Sequence, residues 1–401
     1  MEQKKAAAAA AAVVASLPVE MLANIHGRLS LLDRLAFAAV FRASRDAFKT
    51  EPPCLVQTGG APETATLFSL AERHATTLRG PGPQHAILGS SCSGWLVTAD
   101  DRARLWLVHP FTGDQRALPA IETIPGLYAH RRRQEFTLDV MRFLRGPPRY
   151  PYRTMTVRAE GMRHSLYRKV VLSDTTDVAM LITGTQYGAV AFAMAGDDAW
   201  RMPPPPPLDS IEPVTTSWRL HSRNGVEDAV HHDGRFYTIT YSGQLEAWEE
   251  CDAYTRDVFT STVIAPRLPL PADPDHRKYL VAAPGGRLMV VLTELKDRRT
   301  RSLKVLVLDA GREGWKETHD IDTVLFVGVN GSLCVPTREH PELKAGCVYY
   351  YNQGNPGACN GNYNYNGVWV FSLKDGIGEK FVVLGQYRSW PPPAWFVPSI
   401  P

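Results

Sequence analysis

Between Tyr279 and Val335 the chain reads as four short strands and the opening of a fifth, and no other stretch limits the possible folds as much. Tyr279–Ala283 is apolar and ends in Pro284-Gly285-Gly286, a turn signal. Arg287–Leu292 follows, and the charged segment Lys296–Thr300 separates it from Leu303–Leu308. Two glycines between Asp309 and Gly314 turn the chain into Trp315–Thr318. Val324–Val327 then opens the next group, closed by Gly328 and Asn330-Gly331. Short strands spaced by about 8–12 residues, with turn residues between them, predict a sandwich, barrel or propeller. A four-stranded unit of about 45 residues is the size of one propeller blade.

The same rhythm recurs along the chain. Thr66–Leu70 and His74–Leu78 form a hairpin around Ala71-Glu72-Arg73. Gly94–Thr98, Arg104–Val108 and Arg116–Pro119 make a second unit. Val170–Leu172, Val178–Thr183 and Ala189–Met194 make a third, ending at Trp200-Arg201-Met202. Val226–Val230, Arg235–Thr240 and Gln244–Trp248 make a fourth, with Asp233-Gly234 as the hairpin turn. Gly346–Tyr351, Gly367–Leu373 and Lys380–Leu384 close the series. A tryptophan recurs on or near an outer strand (Trp106, Trp200, Trp248, Trp315). Units repeated over roughly 340 residues are too many for one sandwich, so a propeller of six or seven blades is expected over 54–401. Ile121–Lys169 shows little alternation outside Phe136–Val140 and reads as a long excursion between strands. The five prolines Pro203–Pro207 read as an extended connector.

Only Ser16–Lys49 is strongly helical. Pro18 and Glu20 suit a first turn. Met21, Leu22, Ile25 and Leu29 form one apolar stripe. Ser30-Leu31-Leu32-Asp33 is a capping-box pattern opening a second helix, and Arg42–Phe48 makes a short third before Pro52-Pro53 stops it. Residues 16–50 are too few for an independent core, so the segment needs another surface to cover it. The alanine-rich residues 1–15 read as a low-complexity tail.

Leu17-Pro18-Val19-Glu20-Met21-Leu22, Ile25, Leu29, Leu32-Asp33, Leu35 and Val40-Phe41-Arg42 resemble an F-box. The opening of the motif matches well. Its end departs, with Phe41 where cysteine is usual and Arg45 near the usual tryptophan. The propeller segments resemble the plant F-box proteins that carry a KIB-type β-propeller. The residues that carry this likeness include Gly94-Trp95-Leu96-Val97, Pro110-Phe111-Thr112-Gly113, Gly234-Arg235-Phe236-Tyr237, Gly243–Trp248 and Trp395-Phe396-Val397-Pro398. The resemblance implies a substrate receptor of an SCF-type cullin–RING ubiquitin ligase. Leu17, Pro18, Met21, Leu22, Ile25, Leu29 and Leu32 would bind the Skp-type adaptor, and the propeller would hold a protein target that the sequence does not name. The alternative is a propeller interaction module whose degenerate helical segment engages no ligase. The helices would then be a cap on the β domain.

No P-loop, dinucleotide-binding glycine pattern or nucleophile elbow is visible, so no catalytic residue and no cofactor are expected. An Asp/Glu/His trio converging in the channel of a propeller hydrolase is the remaining enzyme reading. None of the six cysteines forms a C-x-x-C pair. His231 and His232 should point to opposite faces of a strand, which argues against a shared metal. A net charge of +3 gives no reason to expect nucleic acid. The lack of a long apolar run gives none to expect a membrane span. The expected residence is intracellular, in cytoplasm or nucleus.

Overall fold

The computed structural model describes residues 16–58, 64–79, 86–130, 132–143, 154–184, 188–204, 224–250, 259–268, 277–295, 301–309, 314–351, 367–382 and 392–399. Most of them lie in small, largely antiparallel sheets. Six of these sheets set their innermost strands side by side in a closed ring, so the propeller has six blades.

Blade one combines Ala394–Phe396 from the C-terminus with Cys54–Thr58, Thr64–Ser69 and His74–Arg79. Blade two is Ala86–Ser90, Leu96–Ala99, Leu105–Val108 and Gln115–Ala117. Blade three is Tyr167–Leu172, Val178–Thr183 and Val190–Met194, extended by a bridge between Phe192 and Arg201. Blade four is Val226–His232, Arg235–Thr240, Leu245–Glu250 and Phe259–Ala265. Blade five is Arg277–Ala283, Arg287–Leu295, Arg301–Asp309 and Gly314–Thr318, the stretch from which the propeller is most easily read.

Blade six departs from the antiparallel pattern. Its strands run in the order Gly331–Pro336, Thr323–Gly328, Cys347–Tyr351, Val368–Ser372 and Ile377–Val382, and the second and third are parallel. A parallel pair needs a crossover rather than a tight turn. Residues 337–346 supply it.

The expected excursion contains a three-stranded sheet: Leu127–His130, Glu135–Asp139 and Thr154–Arg158. It contributes no strand to the ring, because the inner strands of blades two and three lie directly beside each other. Its apolar residues Leu138 and Phe143 join Leu105, Met162, Tyr167 and Trp200 in one buried cluster. The polar atoms of the two large aromatics are satisfied there. Tyr167 Oη donates to the Ala103 carbonyl at 2.6 Å, and Trp200 Nε1 donates to that of Pro119 at 2.8 Å.

The ring is closed by the last strand. Ala394–Phe396 pairs with Cys54–Val56 of blade one. Trp395 faces blade six, where its ring packs on Phe326 and its Nε1 donates to the Val327 carbonyl at 3.0 Å. Ala394 and Phe396 face the other way, into a cluster with Leu67, Ile87 and Leu96. Alternation along one short strand thus ties the last blade to the first two.

Candidate functional site

Two helices precede the propeller: α1 (Val19–Arg28) and α2 (Leu31–Val40), followed by a 3₁₀ turn over Arg42–Ala47. Pro18 is the N-cap of α1, and its carbonyl accepts from the Met21 and Leu22 amides. Ser30 caps α2 as its spacing predicts. Its hydroxyl accepts from the Asp33 amide at 3.4 Å and donates to Asp33 Oδ2 at 2.6 Å.

One face of α2 is covered by the propeller. Leu31 and Leu35, on one face of α2, are buried in the cluster that holds Cys54, Val56, Leu67 and Phe396. Leu32 packs partly against the same cluster. Arg34 fastens the contact. It makes a bidentate pair with Glu51, at 2.5 and 2.8 Å, and a 3.0 Å pair with Glu72 in the turn between Thr64–Ser69 and His74–Arg79 of blade one. It also donates to the Leu29 carbonyl at the start of α2. Beyond the turn, Lys49 pairs with Glu342 of blade six at 3.0 Å, an exposed link of little weight.

Within the segment, Leu22 and His26 are the buried residues of α1. His26 stacks on Phe48 at 4.6 Å and lies tilted to the Phe37 ring at 6.2 Å. Burial holds its pKa below the usual histidine value, so it packs as a neutral ring. Phe41 lies 4.5 Å from Phe37, and Arg45 Nε donates to the Ala38 carbonyl at 3.1 Å. The two positions that depart from the F-box pattern are therefore used inside the segment.

The seven residues singled out from sequence fall into three groups. Met21 and Pro18 are exposed, Met21 to 52 %. Leu17, Ile25 and Leu29 are half-buried. Leu22 is buried, and Leu32 leans on the propeller. Two exposed apolar residues join the first group: Val19 at 44 % and Val40 at 67 %. Val40 lies on the face of α2 opposite Leu31 and Leu35. Neither is among the seven, although both stand in stretches that resemble an F-box and Val40 continues the apolar pattern of the second helix. Their signal is an apolar residue where a covered helix should be polar.

Arg34 should be the residue on which docking depends. Arg34→Ala leaves Glu51, itself buried, without its cation, and should weaken helix docking by about 1–3 kcal/mol. Hydrogen exchange should then quicken in α1 and α2 while the blades stay protected. Unchanged exchange in both helices would show that Leu31 and Leu35 suffice.

One cysteine–carboxylate–histidine constellation exists at the turns that end the inner strands. Asp174 Oδ1 lies 3.9 Å from Cys92 Sγ and 3.2 Å from His231 Nδ1. The carboxylate stands between thiol and imidazole. Burial and Asp174 both push the Cys92 thiol up, opposite to what a nucleophile needs. His231 and His232 go to different partners, Asp174 and Asp233. Among the described residues no group of three or more ligand-type side chains is placed to hold a metal ion, and no helix is long and apolar enough to cross a membrane.

The KIB1-4 beta-propeller family matches residues 67–372. The chain belongs to that family. The match spans blades two to five whole and parts of blades one and six, and it leaves α1 and α2 outside. No curated protein matches the chain. Among solved structures, the luciferin-regenerating enzyme is 10 % identical with a TM-score of 0.35, over 84 % of this chain and 89 % of that one. The Cps50 (Swd1) β-propeller domain of Myceliophthora thermophila is 11 % identical with a TM-score of 0.31, over 80 % and 93 %. A structural-genomics protein of unknown function from Bacteroides thetaiotaomicron is 10 % identical with a TM-score of 0.34, over 82 % and 69 %.

Proposed function

We propose that the chain is a substrate receptor of a cullin–RING ubiquitin ligase. In this reading α1 and α2 bind a Skp-type adaptor, and the propeller, as an interaction module, holds a protein target. The observation that carries it is the apolar surface left over after docking. Leu31 and Leu35 spend one face of α2 on blade one, yet Pro18, Val19, Met21 and Val40 stay outside. Exposed apolar side chains grouped on so short a segment mark a contact with another protein.

The mechanism needs no bond chemistry in this chain. A receptor raises the local concentration of its target beside the charged conjugating enzyme. Arg34 and its two carboxylates give that geometry a fixed origin, because they hold the helices to blade one.

Co-purification with a Skp-type adaptor tests the proposal. Met21→Ala, and Leu17→Ala with Pro18→Ala, should each lower recovery at least tenfold, about 1.4 kcal/mol or more, as anchors near the centre of an interface do. Equal recovery from wild type and both variants would refute it. A second reading, an interaction module without a ligase, is favoured by the internal use of Phe41 and Arg45. Failure of the wild-type protein to recover any adaptor would decide for it.

A further inference from the structure

The inner strands of blades three, four and five each carry two adjacent charged residues within their first three positions: Arg168-Lys169, Glu227-Asp228 and Arg277-Lys278. All but Arg277 are nearly or wholly buried. Inner strands of one ring run the same way, so the six residues share one end of the axial channel. In blades three and four a β-bulge falls at this point, between Tyr167 and Lys169 and between Val226 and Asp228. A bulge re-aims side chains that would otherwise alternate. Arg168 and Lys169 accordingly both reach blade four.

Two of the cations are accounted for. Lys169 Nζ donates to Asp228 Oδ1 at 2.8 Å and to the Ala229 carbonyl at 2.7 Å. Lys278 Nζ donates to Glu227 Oε2 at 2.7 Å. The remaining carboxylate oxygens accept from the backbone amides of Leu280 and Lys278. Both anions are thereby committed.

Arg277, which is less buried, lies 5.2 Å from the centre of the Tyr279 ring, and Arg168 remains. It is 3 % exposed, and among the described residues it makes no ion pair within 4 Å, since Asp228 and Glu227 pair with Lys169 and Lys278. Its Nη1 donates to the Tyr241 hydroxyl at 2.5 Å, and its guanidinium lies 5.4 Å from the centre of that ring. Tyr241 cannot neutralise it, because burial pushes the phenol up to about 12. A buried guanidinium with no ion pair of its own is costly, and a structure keeps one where something arrives to meet it.

We propose that this end of the channel receives an oxyanion, a carboxylate or a phosphate borne by a bound protein segment, with Arg168 as its principal contact. A planar guanidinium held against a tyrosine ring is pre-oriented for two parallel hydrogen bonds to such a group. The site stands on its own geometry. It rests on the receptor reading only in calling the occupant a target.

The test uses the full chain. Thermal unfolding is followed in inorganic phosphate and in chloride at matched ionic strength. Phosphate should raise the wild-type midpoint. Arg168→Met should lose that response, with phosphate affinity falling at least tenfold, and should be no less stable than wild type in chloride. Loss of stability in both salts would mean that the chain neutralises Arg168 itself, and would overturn the proposal. So would a phosphate response absent from wild type or retained in Arg168→Met. Degenerate peptide pools then separate the sources by competition with phosphate: one rich in Asp and Glu, one carrying phosphoserine. Competition by the first assigns a carboxylate, by the second a phosphate; competition by neither removes the protein segment as occupant. Adaptor recovery is read separately and does not depend on Arg168, so the two proposals fail independently.

Discussion

Asp228→Ala should destabilise the propeller by about 3–5 kcal/mol, the usual cost of stripping one partner from a buried ion pair. Asp228 is 4 % exposed and serves two blades at once. One oxygen takes Lys169 of blade three, and the other takes the Leu280 amide of blade five. The substitution strands a buried ammonium and a buried N–H together. Burial already pulls Lys169 below its ordinary pKa, with Asp228 working against that pull. Without Asp228 the amine should deprotonate, which caps the loss. Denaturant titration measures it. The double variant Asp228→Ala, Lys169→Met should recover a large part of the stability, because a matched apolar replacement removes the stranded charge. A single variant within about 1 kcal/mol of wild type would show that the pair is not what joins these blades.

Gly89→Ala should be nearly as damaging for a different reason. Gly89 lies in the inner strand of blade two at a register shift, and a Cβ there would stand 2.0 Å from the Val170 carbonyl oxygen. The obstacle is backbone of the neighbouring inner strand, so no side chain can swing aside. The two blades must move apart, and overpacking of this kind costs about 3 kcal/mol or more. Gly378→Ala is the matched control. Its nearest neighbours are the ends of Phe371 and Tyr350 at 3.4 Å, ordinary contact on the outer strand of blade six. A Gly89→Ala protein that melts with the Gly378→Ala protein would mean that the ring tolerates a wider spacing there.

The blades were legible where each strand alternates and a glycine or Asp-Gly turn marks its end. Arg287–Leu295 and Arg301–Asp309 are of that kind. The outer strand Phe259–Ala265 was not, because Thr260-Ser261-Thr262 has no apolar alternation and its middle five residues are exposed. Blade count stayed open for a similar reason. The ring is set by which inner strands touch, and no local pattern states that. The closing strand looked like a proline-rich aromatic tail, since its partners Cys54–Val56 lie at the far end of the chain.

The helical site was legible as a stripe but not as an orientation. Periodicity grouped Met21, Leu22, Ile25 and Leu29. Only the packing of α1 in the folded chain decides that Leu22 is buried while Met21 stays out. The charges at the channel end were harder still. Arg168, Glu227 and Arg277 stand at strand beginnings, where charge ordinarily marks solvent, and only the ring brings them together.

The closing strand also sets when this molecule can exist. Phe396 belongs to the same buried cluster as Leu31 and Leu35, so the seat of α2 contains a residue made about 360 positions later in the chain. A ribosome adding about 5–20 residues per second needs tens of seconds to travel between them. Throughout that interval α1 and α2 have no completed surface to sit on. A chain cut short anywhere before Ala394 never acquires one, so premature termination should yield an unlatched ring with loose helices.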